Sequence, residues 1–263
     1  MMVKDQIGRE IDIKKYPERI VSLVPSITEL LVFLGLEENI VGVTKFCVHP
    51  EELLKTKTII GGTKQINIDK IRTLQTDLII GNKEENVREQ IEILEKEFPV
   101  WMSDVNTYED ALQMIKSIGK ITGTEDSAEY LVEDIENEFR WLKQQSTVLK
   151  NKRVLYLIWY NPYMAVANNT FIHSMIEKSG MKNVLENQTR YVEITIEDIK
   201  TLNPDLILLS SEPFPFKEKH RKELEEALEG KFEILFVDGE LFSWYGVRML
   251  LLPNYLLRLE MKM

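Results

Sequence analysis

The stretch INIDKIRTLQTDLII at residues 66–80 returns, with changes, as ITIEDIKTLNPDLIL at residues 194–208. Eight of these fifteen positions are identical. Two shorter pairs keep the same order along the chain: RIVSL at 19–23 with RVLYL at 153–157, and FPVWMSD at 98–104 with FEILFVD at 232–238. The copies lie roughly 130 residues apart, which exceeds the period of about 20–50 residues of solenoid repeats and matches a whole domain. We therefore predict two similar lobes with a ligand cleft between them.

Each half of the chain alternates between short apolar runs and helical patterns, which is typical of α/β lobes with parallel sheets and helices on both faces. The predicted strands are 19–24, 40–44, 77–81 and 98–103 in the first half, and 153–159, 205–210 and 232–237 in the second. The predicted helices of the first half are 27–35, 67–75 and 85–97. Ser26 with Glu29 fits a capping box before the first of these helices. The predicted fold class is thus two Rossmann-like α/β lobes.

Between the lobes we predict a helical connection. Thr107 with Asp110 fits a capping box that opens a helix to about Ile121, and a longer helix runs from Thr124 to about Gln145. The apolar residues of the longer helix recur every three or four positions and mark one face: Ala128, Leu131, Val132, Ile135, Phe139 and Leu142. At 1.5 Å per residue this helix would reach roughly 33 Å, which predicts a stiff connection. The predicted domains are 1–106, 107–148 and 149–263.

The composition argues against several classes of function. The net charge of −10 disfavours a nucleic-acid binder, which needs a basic face. No apolar run reaches the roughly 18 residues of a transmembrane helix. The three histidines lack paired metal-ligand spacing and the single cysteine forms no cluster, so no dedicated metal site is expected. Common catalytic motifs are missing, so we predict no enzymatic activity and no intrinsic cofactor; a chelatase or a glycosyltransferase is the alternative.

The start of the chain, MMVKDQIGREIDIKKYPERIVSL, is interrupted by charges and lacks the apolar stretch of a secretory signal. We therefore predict a cytoplasmic protein. A periplasmic or lipid-anchored protein is the alternative, if a signal sequence precedes these residues. We expect a monomer.

Five segments carry a resemblance to a known family: DQIGREIDI (5–13), ERIVSLVPSITELLVFLG (18–35), IVGVT (40–44), GGTKQINIDKIRTLQTDLII (61–80) and ITIEDIKTLNPDLILL (194–209). Over nearly its whole length the chain resembles the class III substrate-binding proteins of ABC importers, also called helical-backbone metal receptors. The cobalamin-binding members are the most similar. The resemblance implies two lobes joined by one long helix. It also implies a metal chelate as ligand, with cobalamin or another corrinoid first and a ferric siderophore or haem next.

Four further segments resemble a subgroup that is often found without a signal sequence: TKFCVHP (44–50), GNKEEN (81–86), SSEPFPFKEKH (210–220) and DGELFSWYG (238–246). The resemblance to this subgroup implies a fold and a ligand class, and leaves the individual ligand open. An exported protein would deliver its ligand to an ABC permease, whereas a cytosolic protein would be a carrier or sensor of the same ligand.

The turns that follow the strands at the carboxyl edge of a doubly wound sheet form its ligand crevice. In lobe one these turns carry Pro25, Ser26, Phe46, Cys47, His49, Lys83 and Glu84. In lobe two they carry Trp159, Tyr160, Tyr163, Arg190, Tyr191, Glu212, Phe214, Phe242, Trp244, Tyr245 and Arg248. We predict that these residues bind the ligand, because aromatic faces give a flat macrocycle a large apolar contact area. The alternative is that several of the aromatic residues are buried beneath the loops.

Some members of this set have further alternatives. Three cationic members are candidates to pair with carboxylate or phosphate groups of an anionic ligand: Lys83, Arg190 and Arg248. Three others are candidates to coordinate the metal of a chelate: Cys47, His49 and Tyr163. Lys83 and Glu84 equally fit a solvated helix start, and Cys47 also fits a small, partly buried apolar residue.

Two acidic residues occupy matching positions in the repeated segments. Asn67 and Thr195 fit helix N-caps, which places Asp69 and Glu197 in the first turns of equivalent helices. The resemblance implies that Asp69 and Glu197 dock on arginines of the membrane permease. The alternative is that each carboxylate only stabilises its helix macrodipole.

The two copies differ in length after their first strands. From Leu157 to Gly180 the second copy is longer than the first copy from Leu23 to Gly35. The additional residues include Tyr160, Asn161 and Tyr163, and we therefore predict a longer ligand-binding turn in lobe two.

Overall fold

The computed structural model describes residues 1–261 and 263, and the chain forms two compact units. The first unit comprises residues 1–105, 109–134 and 245–247, and the second comprises 106–108, 135–244 and 248–263. The three-part division at 106 and 148 remains a prediction. Among the described residues, no helix combines the length and the apolar composition that crossing a membrane would require.

The first unit is built around a parallel sheet. A hairpin of β1 (Met2–Lys4) and β2 (Glu10–Asp12) precedes five strands: β3 (Ile20–Ser22), β4 (Ile40–Val43), β5 (Thr58–Ile59), β6 (Leu78–Asn82) and β7 (Val100–Ser103). These five strands are parallel in the order β5-β4-β3-β6-β7. All residues of β3, β6 and β7 are buried, as expected for a parallel sheet that is covered on both faces.

The helices between these strands are α1 (Pro25–Phe33), α2 (Leu53–Thr56), α3 (Ile68–Thr73) and α4 (Arg88–Leu94), with a 3-10 turn at Glu37–Asn39. The capping box predicted for Ser26 and Glu29 is wrong. The helix begins one residue earlier, at Pro25, and its N-cap is Val24, whose side chain makes no capping hydrogen bond. Proline suits this first position because it has no N–H to leave unpaired and its φ angle is already helical. Ser26 therefore lies inside the first turn.

Two longer helices follow, α5 (Tyr108–Thr122) and α6 (Glu125–Gln145). The 21 residues of α6 correspond to a rod of about 32 Å. Its buried face consists of the predicted apolar positions: Ala128, Leu131, Val132, Ile135, Phe139 and Leu142. The predicted long helix is thus confirmed, and its residues 125–134 belong to the first unit while 135–145 belong to the second.

The second unit contains a six-stranded sheet of β8 (Arg153–Trp159), β9 (Tyr163–Val166), β10 (Lys182–Asn183), β11 (Tyr191–Ile194), β12 (Leu206–Ser210) and β13 (Glu233–Val237). Strands β8, β12 and β13 run parallel to one another, and β10 pairs in parallel with β8. The helices are α7 (Phe171–Lys178), α8 (Ile196–Leu202), α9 (Glu218–Ala227), α10 (Gly239–Ser243) and α11 (Arg248–Glu260). The predicted fold class of two α/β lobes with parallel sheets and a long helix is confirmed.

The additional length after β8 forms a strand and not the longer turn predicted from the sequence. β9 runs antiparallel to both β8 and β11 and so gives the second sheet an antiparallel edge. Tyr163 is the first residue of β9, and only Tyr160 to Pro162 form the turn that precedes it. The four-residue run YMAV is apolar but too short to be distinguished by periodicity from a loop or a helix segment.

The N-caps predicted for α3 and α8 are confirmed. Asn67 accepts a hydrogen bond from the N–H of Lys70, and Thr195 accepts one from the N–H of Asp198. In α8 the Asp198 carboxylate also accepts from the Thr195 N–H at 2.8 Å, which completes a reciprocal capping box. The Thr195 hydroxyl also donates to Asp198 Oδ2 at 2.7 Å, and this bond and the one from the Thr195 N–H lower the pKa of Asp198.

Replacing Thr195 with alanine is expected to lower the free energy of unfolding by about 1 kcal/mol, because the first turn of α8 loses its side-chain cap. Urea denaturation measures this loss, and NMR titration should show the pKa of Asp198 rising toward its ordinary value. Thr201→Ala is the matched control: its hydroxyl bonds only to the Glu197 carbonyl within the same helix, at 2.9 Å. Equal losses in the two variants would contradict a specific role for the cap.

Candidate ligand-binding surfaces

Each sheet contains a topological switch point, where two neighbouring strands are connected to next strands on opposite sides. In the first unit β3 and β6 are neighbours, but β3 is followed by β4 on one side and β6 by β7 on the other. In the second unit β8 and β12 have the same relation, since β12 is followed by β13 while β9 lies on the far side of β8. Such switch points open a crevice beyond the carboxyl ends of the strands. The loops after β3, β6, β8 and β12 are therefore the candidate ligand-binding surfaces of the two units.

Two buried asparagines hold the loop after β6 in place. The Asn82 side-chain oxygen accepts the N–H groups of Glu84 at 2.8 Å and Glu85 at 3.0 Å. The N–H of Asn82 donates to the side-chain oxygen of Asn86 at 2.8 Å, and Asn86 Nδ2 donates to the Thr63 carbonyl at 3.1 Å. Buried hydrogen bonds of this kind are costly to break, so residues 83–86 have a fixed backbone.

Lys83, a predicted partner for an anionic ligand, forms an ion pair with the carboxylate of Asp104. Its Nζ lies 2.6 Å from Asp104 Oδ2, and its side chain is 62% exposed, so the pair is a surface ion pair of modest strength. The backbone carbonyl of the exposed Glu84 accepts a hydrogen bond from Lys64 Nζ at 2.5 Å. A ligand carboxylate must compete with Asp104 for Lys83.

The loop after β4 contains one exposed and one buried member of the predicted set. Phe46 is 48% exposed, whereas Cys47 has no exposed surface. Cys47 Sγ lies 3.1 Å from Thr28 Oγ1 and 3.3 Å from Thr44 Oγ1. Three further predicted residues of the first unit are buried or half-buried: Ser26, Pro25 and His49. The environment of Cys47 is that of a small buried residue, and a metal cannot reach it in this structure.

Burial has the largest effect on the pKa of the Cys47 thiol and raises it. The hydrogen bonds with Thr28 and Thr44 have a smaller effect and lower the pKa. We expect the native protein to react with a disulfide reagent at least ~100-fold more slowly than the urea-unfolded protein, because attack requires local opening and a thiolate. The absorbance of the released thiolate measures the rate, and the single cysteine makes the readout site-specific. Similar rates in the two states would contradict the buried placement.

Tyr245 belongs to the first unit and not to lobe two, where the sequence order places it. Its ring is buried, and burial raises the pKa of its phenol well above the usual range. The charge of Glu85 raises it further. Tyr245 therefore lies beside the loops at the switch point of the first unit.

Six ring side chains beyond the carboxyl ends of β8 and β12 contact one another and form what we call the aromatic cluster: Trp159, Tyr160, Tyr163, Phe214, Phe216 and His220. Phe214 lies at its centre, with its ring centroid 5.8 Å from Trp159 and 5.6 Å from Tyr160. The rings of Phe216 and His220 are each 5.0 Å from Phe214. Trp159 is 41% exposed, whereas Phe216 and His220 are buried. The outer rings thus form a surface that rests on a buried base.

Two polar groups of this cluster have hydrogen-bond partners beside it. Tyr160 donates its hydroxyl to Glu223 Oε2 at 2.7 Å. Nδ1 of His220 accepts the N–H of Lys217 at 3.0 Å, which anchors the start of α9. The sequence prediction does not assign His220 to the site, although SSEPFPFKEKH carries it near two phenylalanines. Burial raises the pKa of Tyr163 to about 12, so its phenol is neutral at pH 7.

Two predicted ligand-binding residues of the second unit are engaged by their own unit. Phe242 has no exposed surface and packs against Tyr156, with ring centroids 5.2 Å apart. Glu212 accepts the hydroxyl of Ser243. Phe242 therefore fits the alternative of an aromatic residue buried beneath the loops, and we leave it out of the proposed site.

The two predicted arginines have partners within the second unit. Arg248 Nη1 lies 3.0 Å from Glu240 Oε2, and its guanidinium lies 5.1 Å from the Trp244 ring. Arg190 donates to a backbone carbonyl at 2.9 Å and lies 5.4 Å from the Tyr191 ring. Both guanidinium groups therefore contribute to loop structure. In the part of the chain that the structure describes, no three His, Cys, Asp or Glu side chains are grouped as metal ligands.

The two predicted docking carboxylates have different surroundings. Asp69 is 90% exposed and lies 2.7 Å from Arg72 Nη1, and Arg72 also binds Glu97. Glu197 is exposed in the first turn of α8. Because the sequence prediction omits Arg72, it misses the partial neutralisation of Asp69.

Residues 20–233 match the family model described as Periplasmic binding protein. The chain is similar to the uncharacterized ABC transporter substrate-binding lipoprotein YvrC of Bacillus subtilis, at 28% identity over 78% of this chain and 68% of that protein. It is also similar to the vitamin B12-binding protein of Vibrio parahaemolyticus, at 25% identity over 73% of this chain and 70% of that protein.

Among solved structures, the fold is similar to that of a periplasmic heme-binding protein from Pseudomonas aeruginosa. The TM-score is 0.77 at 22% identity, covering 94% of this chain and 92% of that one. The family consists of binding proteins without enzymatic activity. Because the family model spans most of the sequence, the chain belongs to the periplasmic binding protein family.

Proposed function

We propose that this chain is the substrate-binding protein of an ABC importer for a metal chelate, with a corrinoid such as cobalamin first and a ferric siderophore or haem next. The aromatic cluster at the switch point of the second unit is the observation that carries the proposal. Rings such as Trp159 and Phe214 offer a large apolar area with few rotatable bonds to immobilise. A flat macrocycle can stack on such a surface. The names of the relatives, vitamin B12-binding and heme-binding proteins, support this ligand class.

The charges around these loops favour the corrinoid. Lys83 is paired with Asp104, and Arg248 is paired with Glu240. A haem carboxylate bound at either loop would have to displace the partner found there, whereas corrinoid side chains end mainly in amides. An amide requires hydrogen-bonding partners but no unpaired cation.

The test is to mix the purified protein with cobalamin, haem or a ferric siderophore and to record the visible spectrum after desalting. We expect colour to be retained in near-equimolar amount with cobalamin. The double variant Trp159→Ala with Phe214→Ala, which lacks the exposed ring and the half-buried central ring of the aromatic cluster, is the control and should retain much less. If the wild-type protein retains none of the three ligands, the proposed function is wrong.

We also propose that Glu197 is the stronger docking contact with the permease, because Arg72 partly neutralises Asp69. In cells that contain the cognate permease, Glu197→Ala should reduce uptake more than Asp69→Ala, with ligand binding unchanged. Glu186→Ala, at another exposed carboxylate of the second unit, is the control. If neither docking variant alters uptake while binding persists, the protein is a carrier or sensor of the ligand.

A further inference from the structure

The second unit contains a cavity of about 600 Å³ beside the ends of α6 and α7 and the turn that precedes β8. We call it the cationic cavity, because four cations line it: Arg140, Lys143, Lys150 and Lys178. The residues that line it all belong to the second unit. Its volume lies in the range of about 300–1,000 Å³ that is typical of small-molecule sites.

The cationic cavity and the aromatic cluster lie at opposite ends of β8. Lys150 and Asn151 line the cavity and precede this strand, whereas Trp159 is its last residue. At about 3.3 Å per residue, the strand separates the two places by roughly 20 Å. The cavity is therefore distinct from the surface that the proposed function assigns to the metal chelate.

The lining of the cavity is positive although the chain as a whole is acidic, with a net charge of −10. The four cations are accompanied by two carboxylates, Glu136 and Glu177, which leaves an excess of two positive charges. One of these carboxylates is already used, since Glu177 Oε1 accepts the N–H of Asn183 at 2.9 Å. A ligand with about two negative charges would balance the excess.

Three of the four cations are not paired with a carboxylate of the described residues. Lys143 and Lys150 are exposed and form no hydrogen bond or ion pair in the part of the chain that the structure describes. Arg140 Nη1 donates to the neutral side-chain oxygen of Asn137 at 2.8 Å. Arg140 and Lys143 are three residues apart on α6, so their Cβ atoms lie about 5–6 Å apart on one helix face. An anion can bind these cations without breaking an ion pair.

The backbone beside the cavity is held in place by hydrogen bonds. Glu260 Oε1 on α11 accepts the hydroxyl of Ser146 at 2.5 Å and the N–H of Leu149 at 2.7 Å. The N–H of Asn151 donates to the carbonyl of Gly180 at 2.7 Å. The segment between α6 and β8 is thus fixed to α11 and to the end of α7. A fixed backbone reduces the entropy that is lost when a ligand binds.

Two buried rings form an apolar part of the lining. The ring centroids of Tyr108 and Phe139 are 5.1 Å apart, and Lys178 Nζ lies 3.8 Å from the Tyr108 centroid. The methylene groups of the lysine side chains add further apolar surface. The cavity therefore combines positive charge with an apolar wall.

We propose that the cationic cavity binds a small phosphate monoester. Such a group carries about −1.5 to −2 charges at pH 7, which matches the excess charge of the lining. Its oxygens would accept hydrogen bonds from Lys143, Lys150 and Arg140, the arginine binding bidentately. The organic part of the ester would lie beside Tyr108 and Phe139. This site is independent of the proposed binding of a metal chelate.

The test is isothermal titration calorimetry of the purified protein with phenyl phosphate at low salt. We expect binding that the double variant Lys143→Gln with Lys150→Gln weakens about tenfold. Lys116→Gln with Lys120→Gln removes the same charge from exposed positions on α5 and should stay within about twofold of wild type. The inference is wrong if wild type does not bind phenyl phosphate, or if the two double variants lose affinity equally.

Two further probes separate the charge from the organic part. Inorganic phosphate should bind about fivefold more weakly than phenyl phosphate, because it lacks the apolar contact, and phenol should not bind detectably. Equal affinities for inorganic phosphate and phenyl phosphate would overturn the assignment of an ester.

NMR spectra with phenyl phosphate locate the site. The amide signals of Asn151 and Gly180 should shift, whereas the indole N–H signal of Trp159 at the far end of β8 should not. Shifts confined to Trp159 would place the probe on the aromatic cluster and overturn the inference, while the proposed function would stand. Failure of the protein to retain cobalamin, haem or a ferric siderophore would leave this phosphate site unaffected.

Discussion

Replacing Phe242 with alanine is expected to lower the free energy of unfolding by about 3–5 kcal/mol. The side chain has no exposed surface and packs on Tyr156 at a centroid distance of 5.2 Å, so truncation removes its contacts and leaves a cavity. Urea denaturation followed by circular dichroism measures the loss. This is the largest effect on stability that we expect from a residue predicted to bind the ligand.

Trp159→Ala is the matched control for Phe242→Ala, because both remove a large aromatic group from the second unit, one at the end of β8 and the other in α10. Trp159 is 41% exposed, so its truncation should cost less than about 1 kcal/mol. A Phe242→Ala variant with unchanged stability and a reduced affinity for ligand would contradict the buried placement and restore Phe242 to the site.

Removing the exposed Trp159 ring and the half-buried Phe214 ring of the aromatic cluster is expected to have the largest effect on ligand affinity. Trp159→Ala and Phe214→Ala should each weaken cobalamin binding about tenfold, and the double variant about a hundredfold, since each tenfold change corresponds to about 1.4 kcal/mol. Stacking on both rings supplies apolar contact that alanine cannot replace. Isothermal titration calorimetry measures the affinities, and the Tm of each ligand-free variant verifies folding.

Trp141→Ala provides the control for this series. Trp141 is 40% exposed, like Trp159, but it lies on α6 and outside the aromatic cluster. The Trp141→Ala variant should bind cobalamin with an affinity within about twofold of wild type. Equal losses from Trp141→Ala and Trp159→Ala would show that the cluster is not the ligand surface.

Much of the fold follows from local patterns. The apolar positions of α6 recur with the helical period, so its length and its buried face are predictable before any packing is known. The caps Asn67 and Thr195 are similarly local, since each bonds to an N–H three residues ahead. The prediction for Ser26 fails because Pro25 occupies the first helical position, which makes Val24 the N-cap. The spacing of Ser26 and Glu29 fits a capping box but does not take the preceding proline into account.

The antiparallel edge of the second sheet is less predictable. β9 and β11 are four residues each, and they are far apart in the sequence although they pair with each other. The residues around each strand do not indicate its pairing partner. A short apolar segment becomes a strand here because β8 has an open edge for it to join. Pairing partners of this kind are decided by long-range contacts.

The sequence alone determined the repeat, the alternation of strands and helices, and the loops in which polar and aromatic residues gather. Only the tertiary structure decided the state of each side chain in those loops. It buried Phe242 and Cys47, paired Lys83 with Asp104 and brought Tyr245 into the first unit. The reason is physical: periodicity and capping depend on neighbours along the chain, whereas burial and charge pairing depend on residues that only folding brings together.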